Sequence, residues 1–186
     1  MKNINWDNVQ EAGEFKNPTA GGYAAKIIGV EDNEDREFLL ITWDFADGEF
    51  KGTNADYNKR LGYFPHHAKT VRSYKDTALP FFKGFKTAVE KSNPGYTFRN
   101  DPQSLVGKFC GVVLGEEEYQ KNNGNIGTRL YVDQVRSGQA IREGDFKVPE
   151  LKKLTPQDST PSYIQQAPAA GNDYQLLADE EAQLPF

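Results

Sequence analysis

The chain holds 186 residues, 37% of them hydrophobic and 26% charged, with a formal net charge of −5. That length predicts one domain with appendages. The single cysteine, Cys110, excludes an internal disulfide and a cysteine-based zinc site, and no apolar run approaches the roughly 20 residues that span a bilayer.

Residues 1–20 contain few apolar positions and read as an N-terminal arm without the apolar stretch of a secretory leader. Gly21-Gly22 marks a turn, and Tyr23 to Val30 reads as a first strand from which Lys26 should point outward. Asp32-Asn33-Glu34-Asp35 is a polar connection. Phe38 to Phe45, rich in β-branched and aromatic residues, is the strongest strand in the chain. Its parity places Leu39, Ile41, Trp43 and Phe45 on one apolar face, so Trp43 and Phe45 are expected in the core. Asp47-Gly48 is a hairpin-type dipeptide, after which Phe50 should begin a return segment, the third strand-like piece. Asn54 to His67 reads as irregular. It contains Lys59-Arg60-Leu61-Gly62-Tyr63-Phe64, the densest local mixture of charge and rings, and Tyr74-Lys75 follows.

The period then changes. Pro80 suits a first helical turn, and Phe81, Phe82, Phe85, Ala88 and Val89 recur at helical spacing on one face. Ser92-Asn93-Pro94-Gly95 stops that helix. Phe109 to Leu114 and Thr128 to Val135 predict two more strands, the first carrying Cys110 as a small buried hydrophobe. Between them, Gly115 to Asn125 reads as a long loop holding Glu116, Glu117, Glu118 and Lys121. In the last strand Leu130 and Val132 should face inward. Arg129 and Tyr131 then share the outer face, at the spacing a cation and a ring need to grip one nucleotide, with a Tyr131 that simply covers the barrel wall as the equal alternative. Val148 to Leu154 closes the body, residues 21–154.

Residues 155–186 contain no Lys or Arg. They hold five acids: Asp158, Asp173, Asp179, Glu180 and Glu181. The whole chain has 22 Lys and Arg against 27 Asp and Glu, so the first 154 residues are neutral and the tail carries the entire excess. A neutral body is free to present a basic groove on one side but does not require one. The tail's Pro-, Gln- and Ala-rich composition buries too little apolar surface to offset the entropy of ordering, so disorder is expected. It ends on Leu184-Pro185-Phe186, an apolar tip behind the acidic run Asp179-Glu180-Glu181. Such a tip suits an apolar pocket on a partner, with its carboxylate on a basic residue and the acids against a basic rim.

The expected fold is therefore mainly β with one main helix: three strand-like segments, the helix, then two strands. That is the order of an OB-fold, a five-stranded Greek-key barrel that binds oligonucleotides. A plain α+β sheet with one helix has the same element order. Single-strand binding needs cations for phosphates and flat rings for bases. Lys26, Lys59, Arg60, Tyr63, Phe64, Tyr74, Lys75, Lys121, Arg129 and Tyr131 are the candidates to supply them.

An enzyme is not expected. His66 and His67 are the only histidines, and as neighbours on extended backbone they point apart. No phosphate-cradling GxxxxGK[ST] loop occurs, and no cofactor is implied. The acidic clusters Asp32-Glu34-Asp35 and Glu116-Glu117-Glu118 keep a Mg²⁺-dependent nuclease as an alternative. A protein-interaction adaptor that never touches DNA is another.

Three blocks carry a resemblance: Gly21-Gly22-Tyr23-Ala24-Ala25-Lys26-Ile27, Phe85 to Tyr96 with its stop Glu90-Lys91-Ser92-Asn93-Pro94-Gly95-Tyr96, and Leu105-Val106-Gly107-Lys108 leading to Gly115-Glu116-Glu117-Glu118-Tyr119. Together they resemble a family of small proteins from phages of Gram-positive bacteria, found in replication and recombination modules. The ending is similar to that of bacterial and phage single-stranded DNA-binding proteins. Here Leu184 precedes Pro185, and Ala182-Gln183 separates it from the acids. The resemblance implies single-stranded DNA as ligand and replication or recombination proteins as partners of the tip. It also implies the cytoplasm of a bacterial host, and a homo-oligomer is compatible with it.

Overall fold

The computed structural model describes Asn3, Asn5 and residues 17–154. Most of the expected N-terminal arm lies outside the described residues. So does the tail, with Asp179, Glu180, Glu181, Leu184, Pro185 and Phe186.

The body is mainly β: one open, antiparallel, five-stranded sheet in the order β3-β2-β1-β4-β5, with few helices. The strands are β1 (Gly21–Asn33), β2 (Phe38–Phe45), β3 (Lys69–Ser73), β4 (Phe109–Gln120) and β5 (Ile126–Arg136). The helices are α1 (Thr53–Leu61), α2 (Leu79–Ser92) and α3 (Gly138–Glu143). As expected, the longest helix joins the third strand to the fourth.

β1 lies at the centre and pairs with both β2 and β4. A register shift between Ile27 and Gly29 returns Val30 to the side that Ile27 already faces, so both are buried. The core gathers Ala25, Ile27, Leu39, Ile41, Trp43, Phe45, Cys110, Val112 and Leu114 from the sheet. Phe85 and Val89 of α2, with Phe98 and Leu105 beyond it, complete that core. Trp43 and Phe45 are core residues as expected, with their rings edge to face at 4.9 Å. Leu130 and Val132 pack against the same core.

The other face of the β1–β4 half is lined by glycine and covered by the chain that follows β5. Gly22 meets the Phe146 ring, Gly111 meets Ile141 of α3, and Gly115 meets Pro149 and Tyr131. A Cβ on Gly115 would stand 2.6 Å from Pro149 Cγ, so only glycine admits this strap. Lys152 then pairs with β4, donating to Glu116 O and accepting from Glu118 N, both at 2.9 Å.

Four expectations need correction. No return strand starts at Phe50, and residues 54–61 are helical. The Asp44 carboxylate, buried on β2, accepts from Asn54 N at 3.0 Å and Ala55 N at 3.2 Å, which starts α1 instead. The third strand is β3, only five residues long. Gly115 to Gln120 is strand and not loop, because Glu117 lies opposite Arg129 and the two form an ion pair at 2.7 Å. Finally, Phe81 is 68% exposed, whereas Phe85, Ala88 and Val89 are buried. The flank of α2 that Phe81 shares with Ala88 is covered near its C-terminal end, where Gly138 N donates to Ser92 Oγ at 2.9 Å.

Candidate nucleic-acid interface

Two regions put rings beneath cations at the surface. The first begins at α1. Its start is fastened to β2 by Asp44 and by Asn54 Nδ2, which donates to Trp43 O at 3.2 Å. That bond sets the amide, so Asn54 Oδ1 faces His67 Nε2 at 3.1 Å and the imidazole must donate there. Burial, and then the neighbouring charge of His66, pull the His67 pKa down to about 4, so the ring is neutral at pH 7.

Lys59 and Arg60 occupy the last turn of α1, where cations suit the helix dipole. Gly62 ends the helix at φ 82, a left-handed backbone that favours glycine. The chain then turns Tyr63 back onto Tyr57. Their rings meet edge to face at 5.5 Å, and Tyr57 OH donates to Tyr63 OH at 3.3 Å. That bond is the largest cause of a raised Tyr57 pKa. Arg60 lies 5.8 Å from the Tyr57 ring, and Tyr63 is 58% exposed. Phe64 is half-buried.

The histidine pair links this rim to the β4–β5 hairpin. His66 Nε2 lies 3.4 Å from Glu117 Oε1, which also accepts from Arg129 Nε. Burial opposes ionisation of Glu117. The hydrogen bonds from His66 and Arg129, with their charge, outweigh it and hold the carboxyl below its ordinary range. Arg129 in turn lies 5.2 Å from the Tyr119 ring, and Lys121 stands exposed at the hairpin tip. Glu116, Glu117 and Glu118 alternate across the strand, so they do not converge on one point.

No protein-family model matches this chain, and no curated protein matches it.

Of the remaining expected residues, Lys26 is exposed and points outward. Arg129 and Tyr131 do share the outer face, and Arg129 lies over the Tyr119 ring. Tyr131 lies half-buried against Gly115, with its OH donating to Asp133 Oδ1 at 3.4 Å. Tyr74 packs edge-on against Phe82 and donates to Asp32 Oδ1 at 2.8 Å. Burial and that bond push its pKa up to about 12, which marks a fastened phenol. Lys75 is half-buried beside it, its backbone N–H donating to Ser73 Oγ at 3.3 Å.

The second region includes residues that sequence reasoning missed. An open cleft of about 450 Å³ lies at the end of α2, lined by Asn93, Tyr96, Lys108 and Phe109 among others. Lys108 Nζ lies 4.5 Å from the Tyr96 ring, and Lys26 Nζ lies 5.9 Å from the Phe109 ring. Phe109 is 47% exposed. Its parity was the available clue. Cys110, Val112 and Leu114 face the core, so Phe109 falls on the outer face, opposite Lys26.

Proposed function

We propose that the body binds single-stranded DNA without sequence preference, serving phage DNA replication or recombination in a bacterial cytoplasm. The observation that carries this reading is the repeated placement of a cation beside a half-buried or exposed ring. Arg60 lies over Tyr57, Arg129 over Tyr119, Lys108 over Tyr96 and Lys26 over Phe109. A base stacks on the ring and the cation takes the adjacent phosphate, whatever the sequence.

The strand order supports an OB-like reading of the sheet. A Greek-key barrel opened between its third and fifth strands has β1 flanked by β2 and β4, as here. The turn His66–Ala68, just before β3, packs against β5, so the two edges lie close. In this reading the sheet curls toward closure and presents α1 and the β4–β5 hairpin on one rim.

Beyond the body, Asp179-Glu180-Glu181 and Leu184-Pro185-Phe186 recruit replication or recombination proteins. Phe186 enters an apolar pocket, worth roughly 1.5–3 kcal/mol if fully buried, and the acids meet a basic rim.

Anisotropy of a labelled oligothymidine, titrated with the full chain at several salt concentrations, tests the body. Binding that weakens steeply with salt is expected. No binding at low salt would remove the DNA reading and leave an adaptor. Removing residues 179–186 should leave DNA affinity in place and abolish partner binding. Loss of DNA affinity in that truncation would sink the division of labour.

A further inference from the structure

We infer that the cleft at the end of α2 is a one-nucleotide subsite, with the base on Phe109 and the phosphate on the Lys108 side, within reach of the long Lys26 side chain. This rests on the single-strand reading above and adds a place and a stoichiometry to it.

Backbone pairing builds the cleft. Lys26 lies directly opposite Phe109 in the β1–β4 register. Next along, Ile27 N donates to Lys108 O and Gly107 N to Ile27 O, both at 2.8 Å. Lys26 is thereby held across from the exposed ring, and Lys108, the residue before Phe109, lines the cleft beside Tyr96.

The backbone that carries the ring is fixed from behind. Asn93 Nδ2 donates to Phe109 O at 2.8 Å, and Asn93 Oδ1 accepts from Phe109 N at 3.0 Å. A strand end that would otherwise fray is clamped to the helix end. Phe109 therefore offers a platform whose ordering cost is met before any ligand arrives.

A helix C-terminus ordinarily repels an anion, because its last carbonyls carry partial negative charge. Here two of them are already engaged. Ser92 Oγ donates to Ala88 O and Asn93 Nδ2 to Val89 O, both at 2.7 Å. Ammonium groups dominate what remains.

The chemistry of the lining selects the ligand class. Asn93 is spent on backbone, and the Tyr96 hydroxyl is bonded to Ser104 Oγ at 2.8 Å. What the cleft offers a ligand is the face of the Phe109 ring and the Lys108 cation, with Lys26 Nζ 5.9 Å from that ring, and little is left to read a base edge. It therefore accepts a flat base and its phosphate without regard to sequence. Its volume of about 450 Å³ falls in the usual range for small-ligand sites, about 300–1,000 Å³. Lys26, at 5.9 Å from the Phe109 centroid, sits at the outer limit of a cation–ring contact, about 6 Å. It yields the ring to a base at little cost.

The test uses the full chain. Thymidine 5′-monophosphate is titrated while the ring resonances of Phe109 and Tyr96 are followed, and labelled oligothymidine is titrated into wild type, Phe109→Ala, Phe109→Trp and Lys108→Ala. The nucleotide should move both sets of resonances. Phe109→Ala should weaken oligothymidine binding about tenfold, the worth of one stacked base, while Phe109→Trp retains it. Lys108→Ala should flatten the salt dependence. Thermal midpoints of the variants should match wild type, since Phe109 is exposed. The inference is overturned if wild type binds oligothymidine but the nucleotide leaves those resonances unmoved. Wild-type affinity in Phe109→Ala would overturn it equally, and in both cases the single-strand reading stands. If wild type binds no oligothymidine at low salt, that reading falls and the subsite falls with it.

Discussion

Two groups of aromatic side chains on the outer face of the same sheet behave in opposite ways. Phe146 and Tyr131 lie against glycine, at Gly22 and Gly115, and are half-buried by it. Phe109, on the same face of β4, lies opposite a lysine and stays 47% exposed. Tyr63 at the α1 rim resembles Phe109, being 58% exposed beside Tyr57 and Arg60. The difference lies in what the backbone puts across from each ring. A glycine lets the ring close down on the sheet, where it serves stability. A cation holds the ring's face near water, where a base is able to reach it. The largest expected effects come from breaking the supports of the two groups, and the smaller ones from touching the rings and cations directly.

The strongest support of the α1 rim is Asp44. Its carboxylate accepts from Phe45 N at 2.8 Å as well as from Asn54 N and Ala55 N. Asp44→Ala leaves these buried donors without their acceptor and should cost about 3–4 kcal/mol, read from urea unfolding. Helix content should fall with it, and oligothymidine affinity should drop because Tyr57, Arg60 and Tyr63 lose their footing. Full DNA affinity in that variant would detach the α1 rim from binding.

His67 makes the same support depend on pH. Its folded pKa of about 4 lies below the ordinary 6.5. Between those values the unfolded chain binds a proton that the folded chain refuses. Stability is therefore intact above pH 6.5 and declines as pH falls toward 4, by about 2–3 kcal/mol. Glu117, held below its ordinary range, contributes stability above the ordinary carboxylate range and loses it as pH falls through that range. His67→Gln should flatten the unfolding free energy between pH 6.5 and 4. A slope unchanged in that window would place the titrating group elsewhere.

These two supports also mark where sequence reading succeeds and where it stops. β2 was legible because its β-branched and aromatic residues form a strand in almost any context. α2 was legible from its spacing and its Asn93-Pro94-Gly95 stop. α1 was not, because its start is fixed by a carboxylate ten residues upstream, a contact that no local pattern contains. β3 was missed because its five residues, all half-buried, include Arg72 opposite the core residue Leu39. Burial pulls the Arg72 pKa down to about 10, a measure of how poorly that position suits a cation. The acidic stretch of β4 looked like loop because Glu117 needs Arg129 across the hairpin before a strand makes sense. At the candidate interface, Lys59, Arg60 and Tyr63 were legible as a local mixture of charge and rings. The cleft was not, since it joins residues 92–96 to 108–109, which are brought together by the Asn93 bonds to the Phe109 backbone.

The next test sets one group of rings against the other. Gly111→Val drives a side chain into Ile141, with Ser137 O 3.1 Å from the new Cβ. It should destabilise the body by about 2 kcal/mol and leave oligothymidine affinity within about twofold at a temperature where the chain is folded. Tyr63→Ala should do the reverse. Its thermal midpoint stays, and affinity falls about tenfold. If Gly111→Val weakened DNA binding as much as Tyr63→Ala, the strap side would belong to the interface and the contrast would collapse.

The smallest effect concerns a single phosphate. Lys121 is exposed at the hairpin tip, with its Cε resting near Gly127. Among the described residues no ring lies beneath its ammonium, unlike Arg129, which lies over Tyr119. A lysine of this kind neutralises phosphate and contributes nothing to stacking. Lys121→Ala should therefore lower the slope of log affinity against log salt by about 0.7, the value for one contact on a single strand. Near physiological salt the affinity itself should change only about twofold to threefold. Arg129→Ala differs in kind, because it also frees Glu117 and uncovers Tyr119. It should cost more affinity than its charge alone predicts. Equal losses for the two variants would mean that the Tyr119 ring takes no base, and that the hairpin meets DNA through charge only.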